Sequence, residues 1–395
     1  MNILFHTYGK IESTKGGTER ATITTAAGLT HLYGCRCYSV YEEQSFSSKV
    51  ECLVDEYKWS IAKDEEVNVR FLRNILINCC IDYVIIQGAF IHVKRYRKAV
   101  EGLQCKIVFA HHFEPGWEKV FYNIKDIYYS PVNTFKELIR KISQIILYPR
   151  LRNQYLERLG YSYQEGYENA DAVILLSEKY IKPYQAFGRF CDDKKFSIIP
   201  NALSFDEILP QSEIENKEKI VLIVSRLDER FKKISLALQL WKKVKMSSVA
   251  KDWKLEIIGH GKDEKLYKDL VKRRNIPDVF FLGRRNPIPY YKNASIFLMT
   301  SISESWGLTL TESQQMGCVP MAFDTYPTLR DIITDGEDGL VIEKDNVDTF
   351  VQKLLELMSD VKMRNKMARK GLESCKRFSQ EIIVKKWWNL LNNLM

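Results

Sequence analysis

The sequence predicts an α/β protein with two doubly wound parallel sheets in tandem, and three observations lead there. Short apolar runs alternate with helical stretches from the first residues to about residue 180. The same alternation begins again near residue 220. Between the two series lies Pro200–Glu218, a polar, acidic stretch without a strand pattern, which reads as a linker. With 395 residues the chain is long enough for two domains of ordinary size. The expected divisions are 1–200, 201–376 and a closing helix, 377–395.

In the first series the strand candidates are Asn2–Phe5, Tyr38–Tyr41, Tyr83–Gln87, Lys106–Ala110 and Ala172–Leu176. Helical stretches at Ala21–Leu32 and Asn68–Asn78 separate them, and Ser177-Glu178 reads as a helix start. The second series has strands Ile220–Ser225, Leu255–Ile258, Val279–Leu282, Ile296–Thr300, Val319–Phe323 and Leu340–Ile342. Its helices include Ile234–Met246, Glu264–Arg274, Leu308–Met316 and Val347–Met358. The tail Ser379–Leu394 is amphipathic through Ile382, Ile383, Trp387, Leu390, Leu391 and Leu394, and it is expected to pack back on the first domain.

Bulk composition narrows the class. A chain that is 45% hydrophobic and 12% aromatic is globular. It has no apolar run of 18 residues and so no expected spanning helix. Its start, MNILFHTYGK, reads as a first strand and not as a signal peptide, so a cytoplasmic protein is expected. The nine cysteines are scattered, without a C-x-x-C pair or zinc spacing, as reduced thiols would be. The net charge of +9 suits nucleic acid, an anionic membrane surface or an anionic small substrate. No nucleic-acid recognition motif accompanies it.

Between His111 and Ala170 the alternation breaks. Phe135, Leu138, Ile139, Ile142, Ile145 and Ile146 fall on one face of a helix, and Lys136, Arg140 and Lys141 occupy much of the other. Two fates are open to this stretch: the apolar face packs on the sheet, or the basic, tyrosine-rich surface around it meets an anionic membrane. Packing is the expectation for the apolar face itself, and the membrane is the expectation for the basic, aromatic surface around it.

The chemistry-bearing stretch is Ile296–Met321. A buried strand is followed by the loop Ser301–Gly307 and a short helix, with Glu304 on the loop and Glu312 eight residues later. Such a junction sits at the carboxyl end of a parallel sheet, where ligands bind. Helix-start amides suit a phosphate, and carboxylates accept from sugar hydroxyls. Arg226 and the pair Lys232-Lys233 follow another strand and could neutralise a diphosphate, although solvated cations are the plainer alternative. Gly16-Gly17 permits close backbone approach to a ligand or is an ordinary loop. Gly259-His260-Gly261 lacks the third glycine of a dinucleotide fingerprint and reads as a tight turn. His111-His112 ends a strand, where a histidine either contacts a ligand or is structural.

Together these stretches resemble the retaining GT-B glycosyltransferases of glycosyltransferase family 4, the group that builds bacterial surface polysaccharides. The Glu-x7-Glu motif in SISESWGLTLTESQQMGCVP carries most of the likeness. GGTER, NADAVILLSE, IIPNA, SRLDERFKK, IIGHG, VFFLG and ITDGEDGLVI support it in the same order. The resemblance implies two Rossmann-like domains facing a cleft, the first on the acceptor side and the second binding a nucleotide-sugar. It assigns the donor diphosphate to Arg226 and Lys232 (or Lys233, because the spacing is one residue longer than usual). It assigns the ribose to Glu312 and the donor sugar to Glu304. The distal phosphate falls to the amides of Gly307, Leu308 and Thr309, and the base to the backbone of Arg284. Gly16, Gly17 and His112 (or His111) would face the donor from the first domain. Thr325-Tyr326-Pro327 and Asp331 depart from the family's usual Gly-Gly turn and Glu.

The implied activity moves a hexose-type sugar from a nucleoside diphosphate sugar, uridine being the favoured base, to a hydroxyl of a glycan or lipid-linked saccharide, with retention. The setting is cell-surface polysaccharide or lipopolysaccharide synthesis. No metal and no cofactor is expected, no nucleic acid is a partner, and the enzyme is expected in the cytoplasm or peripheral on the inner membrane face. The alternatives are a non-catalytic nucleotide-sugar-binding or scaffold protein, or another GT-B enzyme such as an epimerase or phosphorylase.

Overall fold

The computed structural model describes residues 1–11, 16–43, 50–88, 92–130, 132 and 134–394. Its contacts divide the chain into two compact units. One is Met1–Ile199 together with the chain from Lys386 onward, and the other is Pro200–Lys385.

Among the described residues, the first unit holds a seven-stranded sheet of β1 (Asn2–Gly9), β2 (Arg36–Glu43), β3 (Leu53–Lys58), β4 (Tyr83–Gln87), β5 (Lys106–His111), β6 (Ala172–Leu175) and β7 (Phe196–Ile198). All pairs are parallel and the order is β3-β2-β1-β4-β5-β6-β7. The order reverses between β1 and β4, which makes their carboxyl ends the switch point of this sheet. The central strands are buried on both faces, as the unbroken apolar run of β4 requires. Two strands were not legible in the sequence. β3, LVDEYK, is a half-exposed edge strand, and β7 is three residues long at the other edge. An edge strand needs no continuous apolar run, so its pattern is weak.

The second unit repeats the arrangement with β8 (Glu218–Val224), β9 (Lys254–Ile258), β10 (Val279–Gly283), β11 (Ala294–Met299), β12 (Val319–Phe323) and β13 (Leu340–Ile342). These strands are parallel in the order β10-β9-β8-β11-β12-β13, with the switch point between β8 and β11. The expected two-sheet α/β architecture is therefore present.

Two local features differ from expectation, and the last helix is shared between the units. The stretch 200–218 is strapped to the second unit: Leu203, Leu209 and Ile214 are buried, and the Leu209 amide donates to the Gln315 carbonyl at 3.0 Å. Its few apolar anchors were hidden by polar neighbours. The last helix, Gln380–Asn393, starts in the second unit, and its residues from Lys386 group with the first. There Tyr83 Oη donates to the Leu391 carbonyl at 2.6 Å and Trp388 stacks on Tyr33 at 4.4 Å. Finally, the amphipathic helix Phe135–Ile146 does not pack on the sheet, and none of its residues is buried. Its neighbours are the helices before and after it, Ile124–Tyr129 and Tyr148–Asn169. Amphipathic spacing specifies a face that seeks apolar surroundings, not what supplies them.

Candidate active site

Both carboxylates and both cations of the sequence motif belong to the second unit, at the carboxyl side of its switch point. Ser225–Asp228 leaves β8 alongside the turn that leaves β9. The Ser225 amide donates to the Ile258 carbonyl at 2.9 Å and the Leu227 amide to the His260 carbonyl at 3.0 Å. This approach needs glycine at 259 and 261, where a Cβ would stand 1.7 Å from the Ser225 oxygen and 2.3 Å from the Leu227 oxygen. The GHG turn therefore sets where Arg226 stands. Arg226 is exposed and has no ion-pair partner among the described residues.

Asp228 Oδ1 accepts from the Arg230 amide at 3.0 Å and starts the short helix Glu229–Lys232. The loop after β11 is fastened to that helix. Thr300 Oγ1 donates to the carbonyls of Lys232 and Lys233 at 3.0 Å each, and the Ile302 amide donates to the Phe231 carbonyl at 2.9 Å. The result is an ion pair between Lys232 Nζ and Glu304 Oε1, with Ser301 Oγ donating to the same oxygen at 2.7 Å. Lys233 adopts a left-handed backbone, φ +48°, and its Nζ lies 3.8 Å from Glu229. The geometry thus separates two lysines that spacing left equivalent.

Gly307 precedes the motif helix Leu308–Gln315 at φ +86°, and a Cβ there would lie 2.9 Å from Tyr326 Oη. The helix has no side-chain cap. As first-turn groups, the amides of Leu308 and Thr309 have no acceptor within the helix, so they suit an anion. Glu312 is fully buried and accepts from Tyr291 Oη at 3.1 Å. A ligand reaches its carboxylate only after neighbouring side chains shift. Arg284 is exposed just beyond β10, after Gly283 at φ +71°. The segment that departs from the resembled family braces the loop: Thr325 Oγ1 donates to the Ser301 carbonyl at 2.7 Å and Thr328 Oγ1 to the Ser305 carbonyl at 3.2 Å. Tyr291 carried no functional signal in the sequence, and Ser301, Thr325 and Tyr326 carried none for these contacts, because their relation to the motif is one of distance in space alone.

In the first unit, Gly16 and Gly17 open the helix Gly17–Tyr33 after β1, earlier than the Ala21 start expected, and both are exposed. His111 ends β5 inside an aromatic cage of Phe109, Phe113, Tyr163 and Tyr184. His112 follows, with its Nε2 against Gln87 Oε1 at the end of β4. An amide oxygen accepts, so Nε2 carries the hydrogen and Nδ1 is a bare acceptor. That Nδ1 is buried and has no protein partner among the described residues. The bare Nδ1 of His112 is an acceptor that a ligand can use.

Burial pushes the His112 ring down to about 4 and, with the charge of His112 as a second cause, His111 to about 3. Burial also takes His6 on β1 to about 4. An unfolded chain protonates these rings below 6.5, while the folded one refuses the proton until pH 3 to 4. Their stabilising contribution is therefore complete above pH 6.5 and is lost as pH falls towards 4, each ring amounting to roughly 3 kcal/mol. Thermal melts from pH 7.5 to 4.5 are expected to show a steep fall in midpoint, and a flat profile would contradict the buried neutral state.

A cluster that the sequence did not signal joins the carboxyl ends of β1 and β2 to the chain after β4. Glu42 Oε1 lies 3.1 Å from His6 Nε2 and 2.7 Å from His92 Nε2. These are metal-ligand types, but the remaining ring nitrogens are already engaged. His6 Nδ1 meets Tyr96 Oη at 2.9 Å, and His92 Nδ1 meets the guanidinium of Arg95 at 2.9 Å. A guanidinium only donates, so His92 carries its hydrogen on Nε2, the atom 2.7 Å from the carboxylate oxygen. Burial raises the Glu42 carboxyl, yet the two imidazoles outweigh it and hold the group at about 2. The arrangement fits a hydrogen-bonded network around one carboxylate better than a metal cage. A surface depression lined by Arg97, Glu101, Lys106 and Asp171 lies at the amino ends of β5 and β6, the end opposite to where parallel sheets bind ligands.

Residues 204–374 match the family model described as glycosyl transferases group 1. An uncharacterized glycosyltransferase of Haemophilus influenzae is 25% identical over 386 residues, covering 95% of this chain and 96% of that protein. The N-acetylgalactosamine-N,N'-diacetylbacillosaminyl-diphospho-undecaprenol 4-alpha-N-acetylgalactosaminyltransferase of Campylobacter jejuni is 28% identical over 260 residues, 64% of this chain and 63% of that one. Among solved structures, Anabaena HepE in complex with UDP-glucose superposes with a TM-score of 0.72 over 100% of both chains at 15% identity, a likeness of fold.

Proposed function

From a chain that its matched family model and its relatives indicate to be a GT-B glycosyltransferase of group 1, we propose a retaining, metal-independent hexosyltransferase of the family 4 type. It takes a UDP-sugar as donor and a hydroxyl of a lipid-linked saccharide as acceptor, in surface polysaccharide or lipopolysaccharide synthesis. The observation that carries this is the Lys232–Glu304 pair at the β8/β11 switch point, beside exposed Arg226 and the open amides of Leu308 and Thr309. Cations and amide donors meet a diphosphate there, and a carboxylate meets sugar hydroxyls.

In the proposed reaction the bond from C1 of the sugar to the diphosphate oxygen breaks, and its electron pair leaves with the phosphate. The acceptor oxygen bonds to C1 from the same face and passes its proton to the departing phosphate oxygen. Lys232, Arg226 and the helix amides stabilise the charge that develops on the leaving group. Glu304 orients the donor through its hydroxyls once Lys232 has exchanged it for phosphate. Glu312 holds the ribose, the Arg284 backbone meets the base, and His112 offers Nδ1 to a hydroxyl. The relatives' names support parts of this. The Campylobacter enzyme is named for a diphospho-undecaprenol acceptor and an alpha linkage, which retention produces from an α-linked donor. The HepE complex is named for UDP-glucose.

The test pairs binding with turnover. UDP and UDP-hexoses at 100 times their dissociation constants are expected to stabilise the protein by about 2.7 kcal/mol, more than the corresponding adenosine and guanosine compounds do at the same concentrations. Transfer to a lipid-diphosphate saccharide is expected to yield the α-anomer with EDTA present. A β-anomer would exclude retention, and absence of both product and UDP stabilisation would exclude the activity.

A further inference from the structure

We propose that Gln87 is a positioning residue of the transfer reaction: it fixes which ring nitrogen of His112 carries the hydrogen, and so keeps Nδ1 an acceptor for a substrate hydroxyl. Its bearing on transfer rests on the function proposed above, while the tautomer itself does not. Gln87 is the last residue of β4 and is 4% exposed. It pairs with Ala110 of β5 in the parallel register, so the chains leaving these two strands start side by side. Both starts are locked. The Gly88 amide donates to the Ala110 carbonyl at 2.8 Å. Gly88 turns at φ +78°, and a Cβ there would lie 2.8 Å from the Phe113 ring. Phe113 in turn stacks on Trp117 at 4.6 Å. Gln87 and His112 come just before Gly88 and Phe113, so this close approach holds them together, and Nε2 of the ring meets Oε1 of the amide.

A neutral imidazole has one donor and one acceptor nitrogen, and the partner of one decides the role of the other. With the amide oxygen on Nε2, the hydrogen sits there and Nδ1 accepts. A reversed amide would donate to Nε2 and put the hydrogen on Nδ1. That nitrogen is buried and has no partner among the described residues, so the hydrogen would have no acceptor. A buried N–H without an acceptor is the rarer of the two defects. The ring stands at the carboxyl edge of the sheet, where a ligand can complete the acceptor but an orphaned donor would oppose a hydroxyl oxygen only in the other sense.

The neutrality of the partner matters as much as its oxygen. Burial alone pushes the His112 ring down to about 4. The titratable groups next along are His111, Tyr163, Tyr184 and Glu118, which accepts from Tyr163 Oη at 2.9 Å. None of them acts on the His112 ring as burial does. A carboxylate at position 87 would add a proton to the pair. Whether the imidazole or the carboxyl held it, the hydrogen of the ring would then be on Nδ1 as well or instead, and the acceptor would be gone. An apolar residue would select no tautomer. An amide selects one without adding charge, which packing alone does not require.

The experiment follows the six histidines of the full chain by nitrogen NMR, with His112→Asn to assign the signal, alongside transfer from a UDP-hexose to a lipid-diphosphate saccharide. In the parent, Nδ1 is expected at the shift of an acceptor nitrogen and Nε2 at that of a hydrogen-bearing one, with transfer level from about pH 8 to 6. Gln87→Leu is expected to average the two nitrogens and to lower transfer about tenfold at every pH, the effect of one lost hydrogen bond. Gln87→Glu is expected to match the parent near pH 8 and to fall about tenfold as pH approaches 6, because a carboxylate partner raises a buried ring by up to about 3 pH units. A merely structural role would lower both variants alike at every pH, and melting midpoints show that each is folded. Reversed nitrogen shifts in the parent, full transfer by Gln87→Leu, or a level pH profile in Gln87→Glu would overturn the proposal. If the parent neither binds a UDP-hexose nor transfers one, the function proposed above fails, and the nitrogen shifts of the parent and Gln87→Leu still decide the tautomer.

Discussion

Lys232→Ala is expected to lower sugar transfer about a hundred- to a thousandfold, and Lys233→Ala less than about tenfold. The larger figure is the usual effect of removing one preorganised group that stabilises charge on a leaving atom. The asymmetry comes from the structure. Lys232 reaches Glu304 across the switch point, whereas Lys233 turns to Glu229 at 3.8 Å. In the proposed reaction the loss falls on kcat, because the leaving diphosphate is most charged in the transition state. Stability should also fall, by roughly 1 to 3 kcal/mol, since the two side chains are only 20% and 15% exposed and Glu304 loses its cation. Initial rates and melting midpoints of the two variants check this directly. Equal losses in both would reassign the diphosphate contact.

Gly259→Ala is expected to destabilise the protein on the order of 3 to 5 kcal/mol and to remove transfer with it. A Cβ at 259 would sit 1.7 Å from the Ser225 carbonyl oxygen, and the backbone there is at φ +144°. Strain and overlap therefore act together, and the obstacle is backbone, which cannot rotate aside as a side chain would. The carbonyl belongs to the residue before Arg226, so relief of the clash moves the cation as well. Gly283→Ala is the control. It has a positive φ of +71° but nothing within 4 Å of the added carbon, so about 1 kcal/mol of strain is all it should cost. Denaturant titrations of both variants measure the difference, and similar losses would mean that the close approach at 259 carries no special weight.

The fold was legible because parallel strands buried on both faces must be continuous apolar runs. β4, β12 and β13 fall at the residues expected for them, Tyr83–Gln87, Val319–Phe323 and Leu340–Ile342. The edge strands β3 and β7 were not legible, since an edge is half solvated or too short to leave a pattern. In the same way Phe135–Ile146 announced a one-sided helix, but the expectation that it lies on the sheet was wrong. The face is open, because periodicity encodes a preference for apolar contact and is silent about the contacting body.

At the candidate site, chain order alone placed Arg226, Lys232, Glu304 and Glu312 after strands of one sheet, because a parallel α/β sheet puts the chain after each strand on the same edge. Residue type alone also told which groups could meet a phosphate and which a hydroxyl. The order of the strands decided the rest. It set β8 beside β11 and so brought Lys232, not Lys233, to Glu304. It gave Glu312 its partner Tyr291 and braced the motif loop with Thr325 and Thr328. It buried His111 in a ring of aromatics and left His112 with a bare acceptor nitrogen. The pairing of Lys232 with Glu304 joins residues 72 positions apart. Such pairings depend on through-space distances of a few ångströms, which no local pattern of apolar and polar residues encodes.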